Sequence, residues 1–112
     1  MTNFQGSMYV ERGGAGPAPT LVLLHGLAAN GAVWDPLMHW VQRDWQGPWI
    51  VPDLRGHGRS EHAAIYSFGT LAADVAEAVG QGVPLVIIGH SLGGALGALL
   101  GSGWFGVDVM MV

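Results

Sequence analysis

The chain has 112 residues, 4 Arg, no Lys and 8 Asp plus Glu, for a formal net charge of −4, and 50 % of it is hydrophobic. One domain is the most that this length holds, low charge with high hydrophobicity excludes a disordered chain, and four scattered Arg leave no electrostatic footprint for nucleic acid. The absence of Cys removes disulfides, Cys-based zinc sites and thiol nucleophiles. Charged residues are 11 % of the chain, well below the ~25 % of an average soluble domain, so part of its surface is expected to be covered by something else.

Met1–Val10 has no basic start and no apolar run, so no secretory leader is expected and the location is read as cytoplasmic. Met8–Glu11 is a short strand candidate. Arg12–Pro19, with three Gly and two Pro, is a loop. Leu21–Leu24 is a continuous apolar run, the pattern of a strand buried on both faces. Asp35-Pro36 reads as a helix cap followed by Pro in the first turn, and Leu37, Met38 and Val41 continue at helical spacing. Trp49–Val51 is a strand stopped at Pro52-Asp53, and a polar, Gly-rich loop runs from Leu54 to about Tyr66. Phe68, Leu71, Val75 and Val79 mark one face of a second helix, capped by Ser67 or Thr70 and ended at Gly80. Val83–Ile88 is a dense β-branched run, read as a buried strand. Ser91 to about Ser102 is a third helix, and Val107–Val112 begins another strand.

Alternation of strand and helix predicts an α/β domain: a doubly wound, mostly parallel sheet with helices on both faces. Ligands of such sheets sit at the carboxyl ends of the strands, where His25-Gly26, Asp53 and Ser91 all fall. A membrane helix competes with this reading, because the 30 positions between Glu77 and Asp108 carry no charge and contain Gly93-x-x-x-Gly97-x-x-x-Gly101. Nine Gly, Pro84 and His90 interrupt that stretch, which fits strand, turn and helix better, so no membrane association is expected.

The strongest chemical signal is Gly89-His90-Ser91-Leu92-Gly93-Gly94, a G-x-S-x-G match directly after an apolar strand and before a helix. A tight strand-to-helix turn strains the Ser, Gly89 and Gly93 remove side chains that would clash, and the hydroxyl stands over the positive helix end. The Leu92 N–H is the natural first oxyanion donor. In Leu23-Leu24-His25-Gly26-Leu27-Ala28, the strand end can aim backbone N–H groups at the same point, with Leu27 as the second donor. His25 has a plainer role open to it, hydrogen-bonding its loop in place. In Asp53-Leu54-Arg55-Gly56-His57-Gly58-Arg59-Ser60, an Asp–Arg pair is read as fixing loop shape.

In this order and spacing the three motifs resemble the N-terminal half of the α/β-hydrolase fold superfamily, over nearly all 112 residues. The resemblance implies that Ser91 is the nucleophile, that the Leu27 and Leu92 backbones are the oxyanion donors, and that His25, Gly26, Gly89, His90, Gly93 and Gly94 support elbow and loop. It implies hydrolysis of an ester, lactone, amide or related acyl bond of a small-molecule substrate through an acyl-enzyme, with no cofactor and no metal. It brings Trp34 toward the substrate pocket. Alternatives on the same scaffold are an acyltransferase, a cofactor-free haloperoxidase or a non-catalytic binding remnant.

The family order is Ser, then acid, then His. Only 21 residues follow Ser91, with Asp108 as their one acid and no His. Asp108 would start its strand, at the wrong edge for catalysis. His90 points away from its neighbour, and His25 and His57 lack a carboxylate to orient them. His39 and His62 have no ligand spacing and are expected to be exposed. Residues 1–112 are therefore read as a partial domain, truncated before the C-terminal strands, without lid or catalytic acid and His, and inactive or nearly so. An apolar strand at Met110-Met111-Val112 would favour self-association.

Overall fold

A computed structural model describes residues 3–109. In chain order these form β1 (Phe4–Gln5), β2 (Met8–Gly13), β3 (Thr20–Leu24), a 3-10 turn (Gly31–Trp34), α1 (Asp35–Asp44), β4 (Trp49–Pro52), α2 (Phe68–Val79), β5 (Pro84–Gly89), α3 (Leu92–Gly101) and β6 (Asp108–Val109). One sheet results, with strand order β1-β2-β4-β3-β5-β6. The strands β4, β3, β5 and β6 run parallel, while β1 and β2 form an antiparallel pair and β2 joins β4 antiparallel. The sheet is thus mostly parallel, and the expected strands and helices are all present. The expected strand at Val107–Val112 begins at Asp108; its residues 110–112 lie outside the described part.

The period of two in the strands sorts their side chains onto two faces. Val22 and Leu24 of β3, Ile50 of β4 and Leu85 of β5 meet Leu71, Ala72 and Val75 of α2 and Leu96 and Leu100 of α3. Leu21 and Leu23 of β3 and Val51 of β4 turn the other way, to Met38 and Val41 of α1. Leu23, Leu24, Leu85, Leu96 and Leu100 are fully buried, each worth about 1.5–3 kcal/mol of transfer free energy.

Two expectations need correction. The run ending at Ile88 is not buried throughout: Leu85 is 0 % exposed but Ile88 is 39 % exposed. The α1-side cluster is centred on β3 and β4, so Val86 is only partly covered there. Nor does Asp35 cap α1. The chain is already helical through the 3-10 turn, so no extended residue precedes the helix. The cap lies earlier, at Asn30, whose side chain accepts the Ala32 N–H at 2.9 Å. On α2 the two candidates share the work: Ser67 accepts the Thr70 N–H at 3.1 Å and Thr70 accepts the Ser67 N–H at 3.0 Å. Among the described residues no helix is long and apolar enough to cross a membrane.

Candidate active site

Parallel pairing brings Leu24 opposite Gly89, so the chain leaves β3 and β5 side by side. The turn after β5 is pinned by two backbone bonds of 3.0 Å, His90 N–H to the Leu24 carbonyl and Gly93 N–H to the His90 carbonyl. Ser91 sits between them at φ 55° and ψ −112°, a conformation that costs a non-Gly residue about 1–3 kcal/mol. Close packing enforces it. A Cβ on Gly93 would collide with the Leu24 carbonyl oxygen and stand 2.8 Å from that of His25; one on Gly89 would stand 2.5 Å from the Gly94 nitrogen. Ser91 is exposed, and among the described residues its hydroxyl has no hydrogen-bond partner.

The turn after β3 lies against this elbow. A Cβ on Gly26 would meet the His90 ring at 3.1 Å and Ser91 Cβ at 3.4 Å. His25 is fully buried. Its Nε2 accepts the Leu54 N–H at 2.9 Å, so Nδ1 carries the proton and donates to the Gly26 carbonyl at 2.7 Å. Burial pushes the imidazole below its ordinary 6.5 and the His57 ring acts the same way, against opposing effects of the Gly26 carbonyl and Asp53. A neutral ring with both nitrogens engaged is a strut between two loops. Beyond it, Leu27 is exposed and Ala28 takes φ 63°. Among the described residues neither the Leu27 nor the Leu92 N–H has a hydrogen-bond acceptor.

Leu27, Ser91 and Leu92 line one cavity of about 660 Å³, walled by Tyr66, Phe68 and Leu71. These last three come from the loop after β4 and the start of α2. Phe68 and Leu71 mark one face of α2 by their spacing; Leu71 is buried, but Phe68 is 59 % exposed because the helix begins at the cavity's rim. Nothing in the local pattern separates the two.

Asp53 is buried at the end of β4. Its carboxylate accepts the Gly31 N–H at 2.7 Å and the Arg59 N–H at 2.9 Å. Its carbonyl takes the Ser60 hydroxyl, which in turn accepts the Tyr9 N–H at 2.8 Å. The loop's other basic residue turns away: Arg55 grips both carboxylate oxygens of Asp74 on α2, each at 2.9 Å. A second cavity, about 420 Å³, lies on the α1 side among Glu11, Asp35, Met38, Asp53 and Arg59.

Several residues stand apart from Ser91. Asp108 pairs with Pro84, at the opposite end of β5. His39 and His62 are exposed on α1 and a loop. Trp34, which the resemblance brings toward the pocket, packs instead on the α1-side cluster, because its 3-10 turn leads into α1. Among the described residues no group of three or more His, Asp or Glu could hold a metal ion.

A family model for the alpha/beta hydrolase fold matches residues 19–102. The chain is 38 % identical over 93 residues to lipase LipV of Mycobacterium tuberculosis, covering 80 % of this chain and 34 % of that protein. It is 36 % identical over 86 residues to the pimeloyl-[acyl-carrier protein] methyl ester esterase of Methylococcus capsulatus, covering 77 % and 32 %. Among solved structures, an esterase from Exiguobacterium antarcticum superposes with a TM-score of 0.75 at 28 % identity, covering 91 % of this chain and 38 % of that one. The chain thus spans about a third of the length of the curated relatives it matches. With the family model matched over residues 19–102 and the fold shared with a solved esterase, the chain belongs to the alpha/beta hydrolase fold family.

Proposed function

We propose that Ser91 is the nucleophile of a serine hydrolase acting on an ester, lactone, amide or related acyl bond, with the Leu27 and Leu92 N–H groups as oxyanion donors. One observation carries this reading. An exposed hydroxyl on a strained turn shares a cavity with two residues whose N–H groups lack acceptors. The Ser91 oxygen would bond to the acyl carbon, the carbonyl oxygen would take the negative charge, and the alcohol or amine would leave with a proton. Hydrogen bonds aimed at that oxygen stabilise the transition state more than the ground state.

The Ser91 proton needs a base. His25 has both nitrogens engaged, and His57 Nδ1 is bonded to the Arg55 carbonyl at 2.9 Å. We place the base and its orienting acid in sequence beyond these 112 residues. An oxyanion site alone leaves a residual rate of about 10³–10⁴-fold over water.

The test is p-nitrophenyl acetate with the purified 112-residue chain at alkaline pH, where hydroxide serves as base. The expected result is one acetyl group on Ser91 by peptide mass mapping, none in Ser91→Ala, and no turnover beyond the first equivalent. Absence of a Ser91 adduct would favour the non-catalytic scaffold and overturn the nucleophile. Sustained turnover dependent on Ser91 would overturn the placement of the base.

A further inference from the structure

The segment after β3 ends in Asn30-Gly31, and no other Asn in the chain precedes a Gly. Glycine has no side chain to shield its amide nitrogen, so that nitrogen can attack the preceding carboxamide. In that reaction the Gly31 nitrogen bonds to Asn30 Cγ, the carboxamide nitrogen leaves as ammonia with the amide proton, and a succinimide ring forms. Water then opens the ring at either carbonyl, giving Asp or isoaspartate. Isoaspartate routes the main chain through the side-chain carbons, which adds a methylene between residues 30 and 31 and leaves a free carboxylate.

The folded chain opposes each part of this step. Gly31 is buried, and its N–H donates to the Asp53 carboxylate at 2.7 Å. Asp53 is 2 % exposed, and its other oxygen takes the Arg59 N–H at 2.9 Å, so the acceptor is fixed. Beside a buried carboxylate the Gly31 nitrogen resists losing its proton, because two negative charges would then face each other. The Asn30 side-chain oxygen accepts the Ala32 N–H at 2.9 Å, and ψ 179° holds the Gly31 nitrogen away from Asn30 Cγ. Ring closure needs that ψ to turn, and there is little room. The Gly58 main chain lies so near that a Cβ on it would stand 2.8 Å from Asn30 Cβ and collide with the Asp53 carboxylate.

We propose that Asn30-Gly31 is a self-modification site gated by the contact between Asp53 and Gly31. While the contact is closed the pair is inert. When it opens, the pair cyclises and ages to isoaspartate. The lengthened main chain then no longer brings the Gly31 N–H to Asp53, so a transient opening becomes permanent. One of the ties between the segments after β3 and β4 is lost with it. The test incubates the full chain and a synthetic peptide of residues 27–33 in the same mildly alkaline buffer. Isoaspartate at residue 30 is followed by peptide mapping, and exchange of the Gly31 amide proton by NMR. Isoaspartate is expected to form about a hundredfold more slowly in the chain than in the peptide, with Gly31 exchange slowed by the same factor, since one opening controls both. Asp53→Ala is expected to speed the reaction in the chain about tenfold, through loss of a hydrogen bond to a charged group. Should that variant not fold, the match between the two rates in the parent chain decides alone. Formation as fast as in the peptide would show that the contact guards nothing. Fast formation beside a well-protected Gly31 amide would separate the two events, and a folded Asp53→Ala with an unchanged rate would take Asp53 out of the gate. No isoaspartate at residue 30 within the time set by the Gly31 exchange rate would remove the modification itself. Each of these outcomes overturns the proposal.

Discussion

The turn after β5 and the loop after β4 leave the same edge of the sheet and are held by opposite means. In the first, Gly89 and Gly93 let backbone press on backbone, and the strain falls on Ser91. In the second, Asp53, Ser60 and His25 fill the interior with hydrogen bonds to Gly31, Arg59, Tyr9 and Leu54. Holding a turn by missing side chains leaves the Ser91 hydroxyl unengaged. Holding a loop by side chains leaves none of those groups for chemistry. The Ser91 hydroxyl is therefore left without a partner while both nitrogens of the His25 ring are engaged.

Substitutions at the two places should therefore fail differently. Gly93→Ala is expected to have the largest effect, a loss of about 4 kcal/mol or more, because the new methyl meets main-chain oxygens that cannot swing aside. A urea midpoint close to that of the parent chain would show that the elbow's backbone contacts are dispensable.

His25→Ala is expected to cost about 2–4 kcal/mol by orphaning the Leu54 N–H and opening a buried hole. It should also change the pH response. The folded-state value lies below the ordinary 6.5, so the unfolded chain takes up the proton first as pH falls. This residue's contribution to stability is therefore complete above about pH 6.5 and declines as pH drops toward the folded value. Urea midpoints between neutral and mildly acidic pH should fall more steeply in the parent than in His25→Ala; parallel curves would remove the buried neutral ring from the account.

Ser91→Gly should give the smallest change and the opposite sign. Relief of the strained φ outweighs the added freedom of the unfolded chain by about 1 kcal/mol. A destabilised Ser91→Gly would mean that the elbow stores no strain at that residue.

Those parts of this contrast that are local are legible in the sequence. The capping pair Ser67 and Thr70, the face Leu71 and Val75 and the stop at Gly80 lie within one stretch of chain, so α2 is legible residue by residue. The elbow is legible too, because strand, G-x-S-x-G and helix are contiguous. What the sequence does not show depends on distant partners or is too short to have a period. The two residues of β1 have no repeat to read, and they are paired only because Phe4 meets Tyr9 and Gln5 meets Met8. In β5 every residue from Leu85 to Ile88 is apolar, so the sequence does not say which face is left half open. The grip of Arg55 on Asp74 depends on two residues finding each other 19 positions apart across a loop and a helix.

The bond from Leu54 to His25 reaches further than the strut it makes. It ties the segment after β3 to the segment after β4, two residues before Leu27. The direction of that amide is then settled during folding and does not wait for a ligand. A molecule arriving beside Ser91 would find its surroundings preorganised, so little loop ordering would oppose its binding. The heat-capacity change on binding should accordingly follow the apolar area covered, with no added share from a loop condensing around the guest.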